Sequence, residues 1–349
     1  MNSSHSSHNG ASPNAVDQAA RLLADQVPSG EVTLLGHIDP DADALGTALG
    51  LGHALHEAGA TVRVSFAEPD EVPHSLRGLD AAGLLTRPSD LPQVDQVLVA
   101  VDTPSPARLG SLAPRVERTV EAGGSVLVID HHASNLFYGT HHVVDTEAEA
   151  SAVVAMRVLD AMGLPLTEPV ARGLYAGLVT DTSSFRRARP ETHRLAARLI
   201  EAGVDPDGLG RTLLDDHPFT WLPMLSRVLA GARLEPAAAR GLGVVHAVVD
   251  LEAARDVRVE EVESVIDIVR STTEAEVAVV LKEQQPRGST RRWSVSLRAK
   301  SVINVAAVAR SLGGGGHHLA AGCRMEGDPQ RCVEALLDAL AQAPLLERR

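Results

Sequence analysis

Three short apolar runs in the first half of the chain each lead into acidic or imidazole side chains. The runs cover residues 32–35, 96–101 and 125–129. Short apolar runs bounded by glycine or polar residues are typical of buried strands. Segments with helical spacing separate them, which favours an α/β fold with a mostly parallel sheet and helices on both faces. Because such sheets bind ligands at the carboxyl ends of their strands, we expect a functional site there.

The turn after the first run is crowded with titratable groups, namely His37, Asp39, Asp41 and Asp43. Carboxylates this close repel one another, and a cation held between them relieves the repulsion. Aspartate is also common at turns and helix caps, so this spacing alone leaves a metal site and an ordinary helix start both open. Further acids and imidazoles along the chain favour the metal site.

Candidate ligands recur after the later runs. Asp102 directly follows the second run, and His131 lies two residues beyond the third. Asp181 follows another apolar segment, although in isolation it also fits a helix or turn cap. The combined set is His37, Asp41, Asp43, Asp102, His131 and Asp181. These oxygen-rich ligands with two imidazoles suit Mn²⁺, with Mg²⁺, Co²⁺ and Zn²⁺ as alternatives. Six ligands exceed the needs of one catalytic ion, so the set predicts two ions about 3.5 to 4 Å apart that activate water for attack on phosphorus.

Composition limits the partners. A net charge of −13 argues against a long duplex-binding groove, which works by neutralising many phosphates. A short anionic substrate stays compatible, because metals and a few arginines supply local positive charge. Only two cysteines are present, which fits a reducing cytoplasm. Since the chain shows neither a run of about eighteen apolar residues nor a signal-peptide pattern, we expect no membrane partner.

The length of 349 residues accommodates two domains. We predict a disordered tail over residues 1–13, a metal-binding catalytic domain over 14–204, a helical linker over 205–235 and a smaller mixed α/β domain over 236–349. The second domain contains the string GGGGHHLAAG at residues 313–322. A flexible loop explains the glycines but not the His-x-x-Ala-Ala-Gly pattern, whereas a phosphate site explains both, since glycine lets backbone N–H groups close on an anion.

Four segments together resemble the DHH phosphoesterase family. They are HIDPDADALGT at residues 37–47, VDT at 101–103, DHH at 130–132 and GLVTDT at 177–182. The resemblance implies one Mn²⁺ held by His37, Asp41 and Asp102. It implies a second held by Asp43, Asp102, His131 and Asp181, with Asp102 bridging the two ions. His132 is then expected to contact the scissile phosphate or assist the leaving oxygen. Asp39 occupies a position where many relatives have asparagine.

The glycine-histidine string resembles the GGGHxxAAG signature of the substrate-binding domain found in one DHH subfamily. This resemblance implies that a substrate phosphate contacts Gly314, Gly315, Gly316 and His317, with Arg298 as a further candidate. Family II pyrophosphatases lack the string, and RecJ-type exonucleases are usually longer. The compact pair of domains is similar to the NrnA-like group of oligoribonucleases and pAp phosphatases.

The resemblance predicts a cytoplasmic, Mn²⁺-dependent hydrolase that releases mononucleotides from short RNA oligonucleotides and removes the 3′-phosphate of pAp. Cyclic dinucleotides or their linear products, polyphosphate and pyrophosphate are alternative substrates, and a homodimer is an open alternative to a monomer. A nucleotide-binding regulator without catalysis is the alternative from another class. Trp221 and Trp293 can stack a base but better fit core positions.

Overall fold

The first half of the chain forms a five-stranded parallel sheet in the order β2-β1-β3-β4-β5. The structure is a computed structural model that describes residues 12–288 and 290–346. The tail predicted as disordered lies outside the described residues, except for its last two positions. Contacts divide the chain into two compact units, Met1–Asp216 and His217–Arg349.

The strands and helices of the first unit follow the βα alternation that the sequence predicts. They are α1 (Pro13–Ala24), β1 (Glu31–Leu35), α2 (Ala42–Glu57), β2 (Thr61–Ser65), β3 (Val97–Val101), α3 (Pro114–Glu121), β4 (Ser125–Asp130), β5 (His141–Val144), α4 (Ser151–Met162), α5 (Glu168–Asp181), α6 (Pro190–Glu201) and α7 (Pro206–Gly210). Short 3₁₀ segments at His74–Leu79, Pro88–Asp90 and Pro106–Leu112 connect some of them, and a π-helical turn covers Arg211–Asp215.

Both faces of the first sheet are buried, which explains why its strands read as continuous apolar runs. Val97, Val99 and Val101 of β3 pack on one face, in the core that also contains the buried side chains of α1, α2, α4 and α5. Leu98 of the same strand packs on the opposite face with the 3₁₀ segment before α3. The predicted parallel sheet with helices on both faces is confirmed.

The second unit contains a six-stranded mixed sheet in the order β10-β11-β9-β8-β7-β6. Its elements are α8 (Trp221–Ala230), β6 (Arg233–Glu235), a helical turn α9 (Ala238–Gly241), β7 (Val244–Val249), α10 (Val259–Val269), β8 (Val277–Arg287), β9 (Thr290–Ala299), α11 (Val305–Ser311), β10 (Gly315–His317), β11 (Ala320–Glu326) and α12 (Pro329–Ala341). Strands β7 and β8 are parallel and the other neighbours are antiparallel. The predicted smaller mixed α/β unit is confirmed.

Helices cover parts of both faces of this second sheet. Buried residues of α11 and α12 form one core with β8 and β9, and those of α8 and α10 form another with β7 and β8. Trp293 is 1% exposed and donates its indole N–H to the carbonyl of Gly327. Trp221 stacks on His217 with ring centroids 4.2 Å apart. Both tryptophans therefore pack within the second unit.

Two features of the helices bear on the expectations from sequence. The segment 205–235 contains α7, which belongs to the first unit, and α8, which belongs to the second. Among the described residues, no helix combines the length and the apolar character needed to cross a membrane.

Candidate metal centre

The turns after three neighbouring strands meet at one edge of the first sheet, because β3 lies between β1 and β4. His37 comes from the turn after β1, Asp102 directly follows β3, and His131 directly follows β4. Asp43 lies in the first turn of α2, and Asp181 is the last residue of α5. The structure thus brings together acids and imidazoles that are up to about 140 residues apart in sequence (181 − 37 = 144).

Asp41 combines the two roles that its position in sequence left open. It is the N-cap of α2, and its Oδ1 accepts hydrogen bonds from the N–H groups of Asp43 at 3.1 Å and Ala44 at 2.9 Å. Its other oxygen, Oδ2, lies 3.6 Å from Nε2 of His37. A carboxylate has enough acceptor sites for both, so capping the helix leaves one oxygen to serve as a ligand.

His37, Asp41 and Asp102 form the first group of donors, with ligand atoms within 4.8 Å of one another. Nε2 of His37 lies 3.5 Å from Oδ2 of Asp102. Nδ1 of the same ring lies 2.8 Å from the carbonyl oxygen of Ile38. A carbonyl only accepts, so Nδ1 carries the hydrogen and Nε2 is directed at the carboxylates. Metal-binding histidines commonly have this arrangement.

Asp43, His131 and Asp181 form the second group, again within 4.8 Å. Nε2 of His131 lies 3.4 Å from Oδ2 of Asp181 and 3.9 Å from Oδ2 of Asp43. Nδ1 of His131 lies 3.2 Å from the carbonyl oxygen of Ala148. The second imidazole is therefore oriented in the same way as the first, with Nε2 towards the acids.

Asp102 lies between the two groups and divides its oxygens between them. Oδ2 faces His37 at 3.5 Å, and Oδ1 faces His131 at 3.4 Å. The residue has φ of 55°, in the left-handed region that aspartate tolerates better than most residues. Its N–H donates to the carbonyl of Ile129 at 2.9 Å, which fixes this turn against β4. The geometry is that of a carboxylate shared by two sites.

The charges of the cluster perturb one another strongly. Burial and the charge of Asp102 raise the pKa of Asp43 to about 7. Burial and the charge of Asp43 also raise the pKa of Asp181 well above its usual value. Burial lowers the pKa of His37, but the charge of Asp41 and hydrogen bonds to Asp102 and Asp41 outweigh it, so that this pKa is about 10. These shifts reflect crowded negative charge that a cation would relieve.

This donor set fits divalent cations. Its carboxylates are gathered closely, with Asp43 and Asp102 buried, and a cation would neutralise their charge. Its imidazoles direct Nε2 inwards and hold Nδ1 on backbone carbonyls. Carboxylate oxygens with imidazole nitrogens are ligands for Mn²⁺ and related ions.

His132 is oriented by Asp130, the first residue of the DHH triplet. Its Nδ1 lies 2.7 Å from Oδ1 of Asp130 and 3.5 Å from Oδ1 of Asp102. Oδ2 of Asp130 accepts a hydrogen bond of 2.6 Å from the amide of Asn135. Burial lowers the pKa of His132, but the charges of Asp102 and Asp130 raise it overall. Because Asp130 holds Nδ1, the other ring nitrogen, Nε2, stays available, as is required of a group that donates a proton to a substrate.

Glycines allow α2 and α5 to approach closely enough to bring their acids together. A Cβ at Gly46 would lie 2.5 Å from the carbonyl oxygen of Gly173, and one at Gly173 would lie 2.4 Å from that of Gly46. A Cβ at Gly177 would lie 2.4 Å from Oδ1 of Asp43. Only hydrogen fits at these positions, so the short distance between Asp43 and Asp181 depends on them.

Asp39 is exposed and takes part in none of the donor groups found among the described residues. Its φ is 52°, and its N–H donates to the carbonyl of Glu68. Two arginines near Asp181 donate hydrogen bonds to protein groups. Arg187 donates to the carbonyl of Asp181, and Arg189 donates to the side chain of Glu149 at 2.8 Å.

The candidate phosphate residues lie on the sheet of the second unit. Gly315, Gly316 and His317 form strand β10, which pairs with β11. His317 is opposite Ala320, and Ala320 is opposite Arg298 on β9. Directly paired residues project on the same face of a sheet, so His317 and Arg298 flank a small alanine. Gly314 directly precedes β10, and a Cβ there would lie 2.1 Å from the carbonyl oxygen of Gly322.

Sequence reasoning missed three residues that hold the site together. Asp130 and Asn135 orient His132, and Ser151 at the start of α4 contacts two acids. Asp130 is the first residue of the DHH triplet, so its position next to the two histidines was the signal that could have identified it as the partner of His132. A serine at a helix start ordinarily signals a local cap, and its contacts with distant residues leave no sequence pattern.

Family models match both units. The DHH family N-terminal domain matches residues 31–178, and the DHHA1 domain matches residues 241–343. The chain belongs to the DHH family of phosphoesterases. It is a hydrolase of phosphate ester bonds, and DHH phosphoesterases are metal-dependent.

Several relatives of this DHH protein carry descriptive names. It is 29% identical over 327 residues to a bifunctional oligoribonuclease and PAP phosphatase NrnA of Thermus thermophilus, covering 92% of this chain and 93% of the relative. A probable protein of the same name from Streptococcus mutans is 25% identical, with 82% and 86% coverage. A cyclic-di-AMP phosphodiesterase PdeA of Listeria monocytogenes is 24% identical, and the match covers 86% of this chain but 45% of that protein.

The fold also occurs in a solved structure. An exopolyphosphatase-related protein from Bacteroides fragilis superposes with a TM-score of 0.82 at 19% identity, covering 95% of this chain and 97% of that one. At this identity the likeness shows a shared DHH fold, and the chemistry of the site is argued from the residues themselves.

Proposed function

We propose that this protein is a Mn²⁺-dependent phosphoesterase of the cytoplasm that hydrolyses short oligoribonucleotides to mononucleotides and removes the 3′-phosphate of pAp. The observation that carries the proposal is the sharing of Asp102 between two donor groups, with one oxygen on each side. The name of the Thermus relative, which spans nearly the whole chain, supports the choice of substrates.

In this proposal His37, Asp41 and Asp102 hold one ion. Asp43, Asp102, His131 and Asp181 hold the other. Two divalent ions, when bound, lower the pKa of a water and neutralise charge on the phosphate. Asp102 would contribute one oxygen to each ion, because its Oδ2 faces His37 and its Oδ1 faces His131.

His132 supplies the general acid or an electrostatic contact with the phosphate. Nδ1 of His132 lies 2.7 Å from Oδ1 of Asp130, and this carboxylate keeps the proton of the neutral ring on Nδ1. Burial lowers the pKa of the ring, but the charges of Asp102 and Asp130 raise it overall, which favours the imidazolium form that also carries a proton on Nε2. A protonated Nε2 can donate to the leaving oxygen as the ester bond breaks.

For the second unit we propose that His317, Arg298 and the backbone of Gly314, Gly315 and Gly316 bind a substrate phosphate. Arg298 offers a planar fork of donors and His317 an imidazole, on one face with only Ala320 between them. The net charge of −13 leaves little basic surface for many further phosphates. Short substrates therefore fit this protein better than long RNA.

The test is a panel of substrates offered to the full-length protein with Mn²⁺ at fixed salt. It should contain RNA of about two to about twenty nucleotides, since single-strand sites of this kind span few bases, together with pAp, cyclic dinucleotides, their linear products and pyrophosphate. We expect kcat/KM to fall with RNA length and pAp to be hydrolysed well. Equal or rising kcat/KM towards long RNA would contradict the proposal.

The alternative of cyclic dinucleotide hydrolysis is an outcome of the same panel, motivated by the Listeria relative. Preference for intact cyclic dinucleotides over linear dinucleotides would replace the proposed substrates. The variant Asp102→Asn serves as the comparison, because hydrolysis that depends on the shared carboxylate should be strongly reduced in it. Tight nucleotide binding without turnover would favour the regulator instead.

A further inference from the structure

The N-terminus of α4 contacts two of the proposed ligands at once. The N–H of Ser151 donates to Oδ2 of Asp43 at 2.6 Å, and the N–H of Ala152 donates to Oδ1 of the same carboxylate at 3.0 Å. The hydroxyl of Ser151 donates to Oδ1 of Asp102 at 2.8 Å. Ser151 is fully buried. From the start of α4 it contacts Asp102 at the end of β3 and Asp43 at the start of α2.

The start of α4 explains how these donors become available. Its N-cap is Ala150, which has no side-chain oxygen and makes no capping bond. The first N–H groups of a helix need partners from outside the helix, and alanine cannot supply one. Asp43, more than 100 residues earlier in sequence (151 − 43 = 108), satisfies two of them. The positive end of the helix dipole also favours the carboxylate there.

The hydroxyl of Ser151 acts on one side of the shared carboxylate. It binds Oδ1 of Asp102, the oxygen that lies 3.4 Å from His131 in the second donor group. Oδ2, which faces His37 in the first group, accepts no hydrogen bond from Ser151. Asp43, held by the backbone of Ser151, also belongs to the second group. Every contact described for Ser151 therefore bears on the same half of the centre.

We infer that Ser151 is a positioning residue for the second ion. It aligns Oδ1 of Asp102 with Asp43, and it leaves the first ion site of His37, Asp41 and Oδ2 of Asp102 largely independent. The inference rests on the proposed two-ion centre and adds an asymmetry to it. Removing a hydrogen-bonding partner of a metal ligand typically weakens metal affinity about 10- to 100-fold, and here the loss falls on one ion only.

The experiment measures Mn²⁺ binding to the full-length protein without substrate, by calorimetric titration and by electron paramagnetic resonance. For the wild type we expect two ions and a spin-coupled spectrum. For Ser151→Ala we expect the first ion unchanged, the second weakened about 10- to 100-fold, and an uncoupled Mn²⁺ spectrum at one equivalent. Ser65→Ala is the matched control, because Ser65 is also a buried serine, but its hydroxyl donates to the carbonyl of Thr86.

If Ser151→Ala does not fold, a second variant provides the same test. Ser151→Cys keeps the shape of the side chain, with a somewhat larger atom in place of the oxygen, but it has only a weak donor, so it should show the same selective loss. Unchanged affinity for both ions, or an equal loss of both, would overturn the inference. If the wild type itself bound a single ion, the two-ion centre would fail first, and the role of Ser151 would fail with it.

Discussion

Glycine has different consequences in the two units. In the first unit Gly46 and Gly173 allow α2 and α5 to pack in close contact. This contact brings together Asp43 of α2 and Asp181 of α5. In the second unit Gly314 lets the chain approach the backbone of β11, and the benefit is a hairpin that carries His317. The first case assembles ligands from distant segments, whereas the second shapes one local element.

The two regions should therefore respond differently to a methyl group added at a glycine. An added methyl group at Gly177, on the same helix as Gly173, would push directly against the proposed ligand Asp43, so it should damage chemistry as well as packing. An added methyl group beside the hairpin pushes against backbone and Cys323, so it should damage packing first.

The largest effect should come from the carboxylate shared by the two donor groups. We expect Asp102→Asn to lower kcat/KM by about a thousandfold, roughly 4 kcal/mol, because the shared group loses its negative charge and one of its two oxygen ligands. Asp39→Asn is the matched control, since it makes the same chemical change at an exposed acid outside the donor groups. Steady-state kinetics with saturating Mn²⁺ decide the matter. Activity close to wild type in Asp102→Asn would disprove the shared role.

Gly177→Ala tests the helix crossing next to a ligand. Its Cβ would lie 2.4 Å from Oδ1 of Asp43, so the carboxylate or α5 has to move. A misplacement of about 1 Å can cost a hundredfold in rate, and we expect about that loss of kcat together with weaker Mn²⁺ binding. Gly210→Ala in α7 is the control, because nothing lies within 4 Å of a Cβ there. If both variants kept wild-type kcat, the crossing would have no bearing on the centre.

Gly314→Ala tests the hairpin of the second unit. Its Cβ would lie 2.1 Å from the carbonyl oxygen of Gly322 and 2.6 Å from Cβ of Cys323. Such overpacking should lower the free energy of unfolding of this unit by about 2 kcal/mol. Denaturant unfolding followed by tryptophan fluorescence reports on it, since Trp221 and Trp293 both lie in the second unit. Gly315→Ala, with open space around its Cβ, should unfold like the wild type, and equal losses in both variants would refute the packing argument.

The smallest effect should come from His317→Ala. We expect KM for pAp to rise about tenfold, as for the loss of one hydrogen bond to a charged group, while Mn²⁺ binding stays unchanged. His318→Ala is the neighbouring control, because its side chain is exposed and the proposal gives it no role. Loss of bound metal in His317→Ala would contradict the assignment of ligands to the first unit alone.

The sequence by itself determined the strands, the helices between them and the acids at the strand ends. Strand pattern and turn spacing follow from local sterics and from burial on both faces of a sheet, so residues such as Asp102 after β3 were predictable. The spacing of His37 and Asp41 likewise brought two donors together within one turn. The hairpin strand β10 was missed, because consecutive glycines resemble a loop until β11 is there to pair with them.

Only the tertiary structure decided how these groups are held. The division of the oxygens of Asp102 between His37 and His131, and the capping of α4 by Asp43 rather than by Ala150, join residues far apart in the chain. No sequence pattern predicts that the N–H of Ser151 donates to Asp43, which lies 108 residues earlier in the chain. Such a partner is determined when helices pack, and here the packing of α2 on α5 depends on the close approach of Gly46 and Gly173.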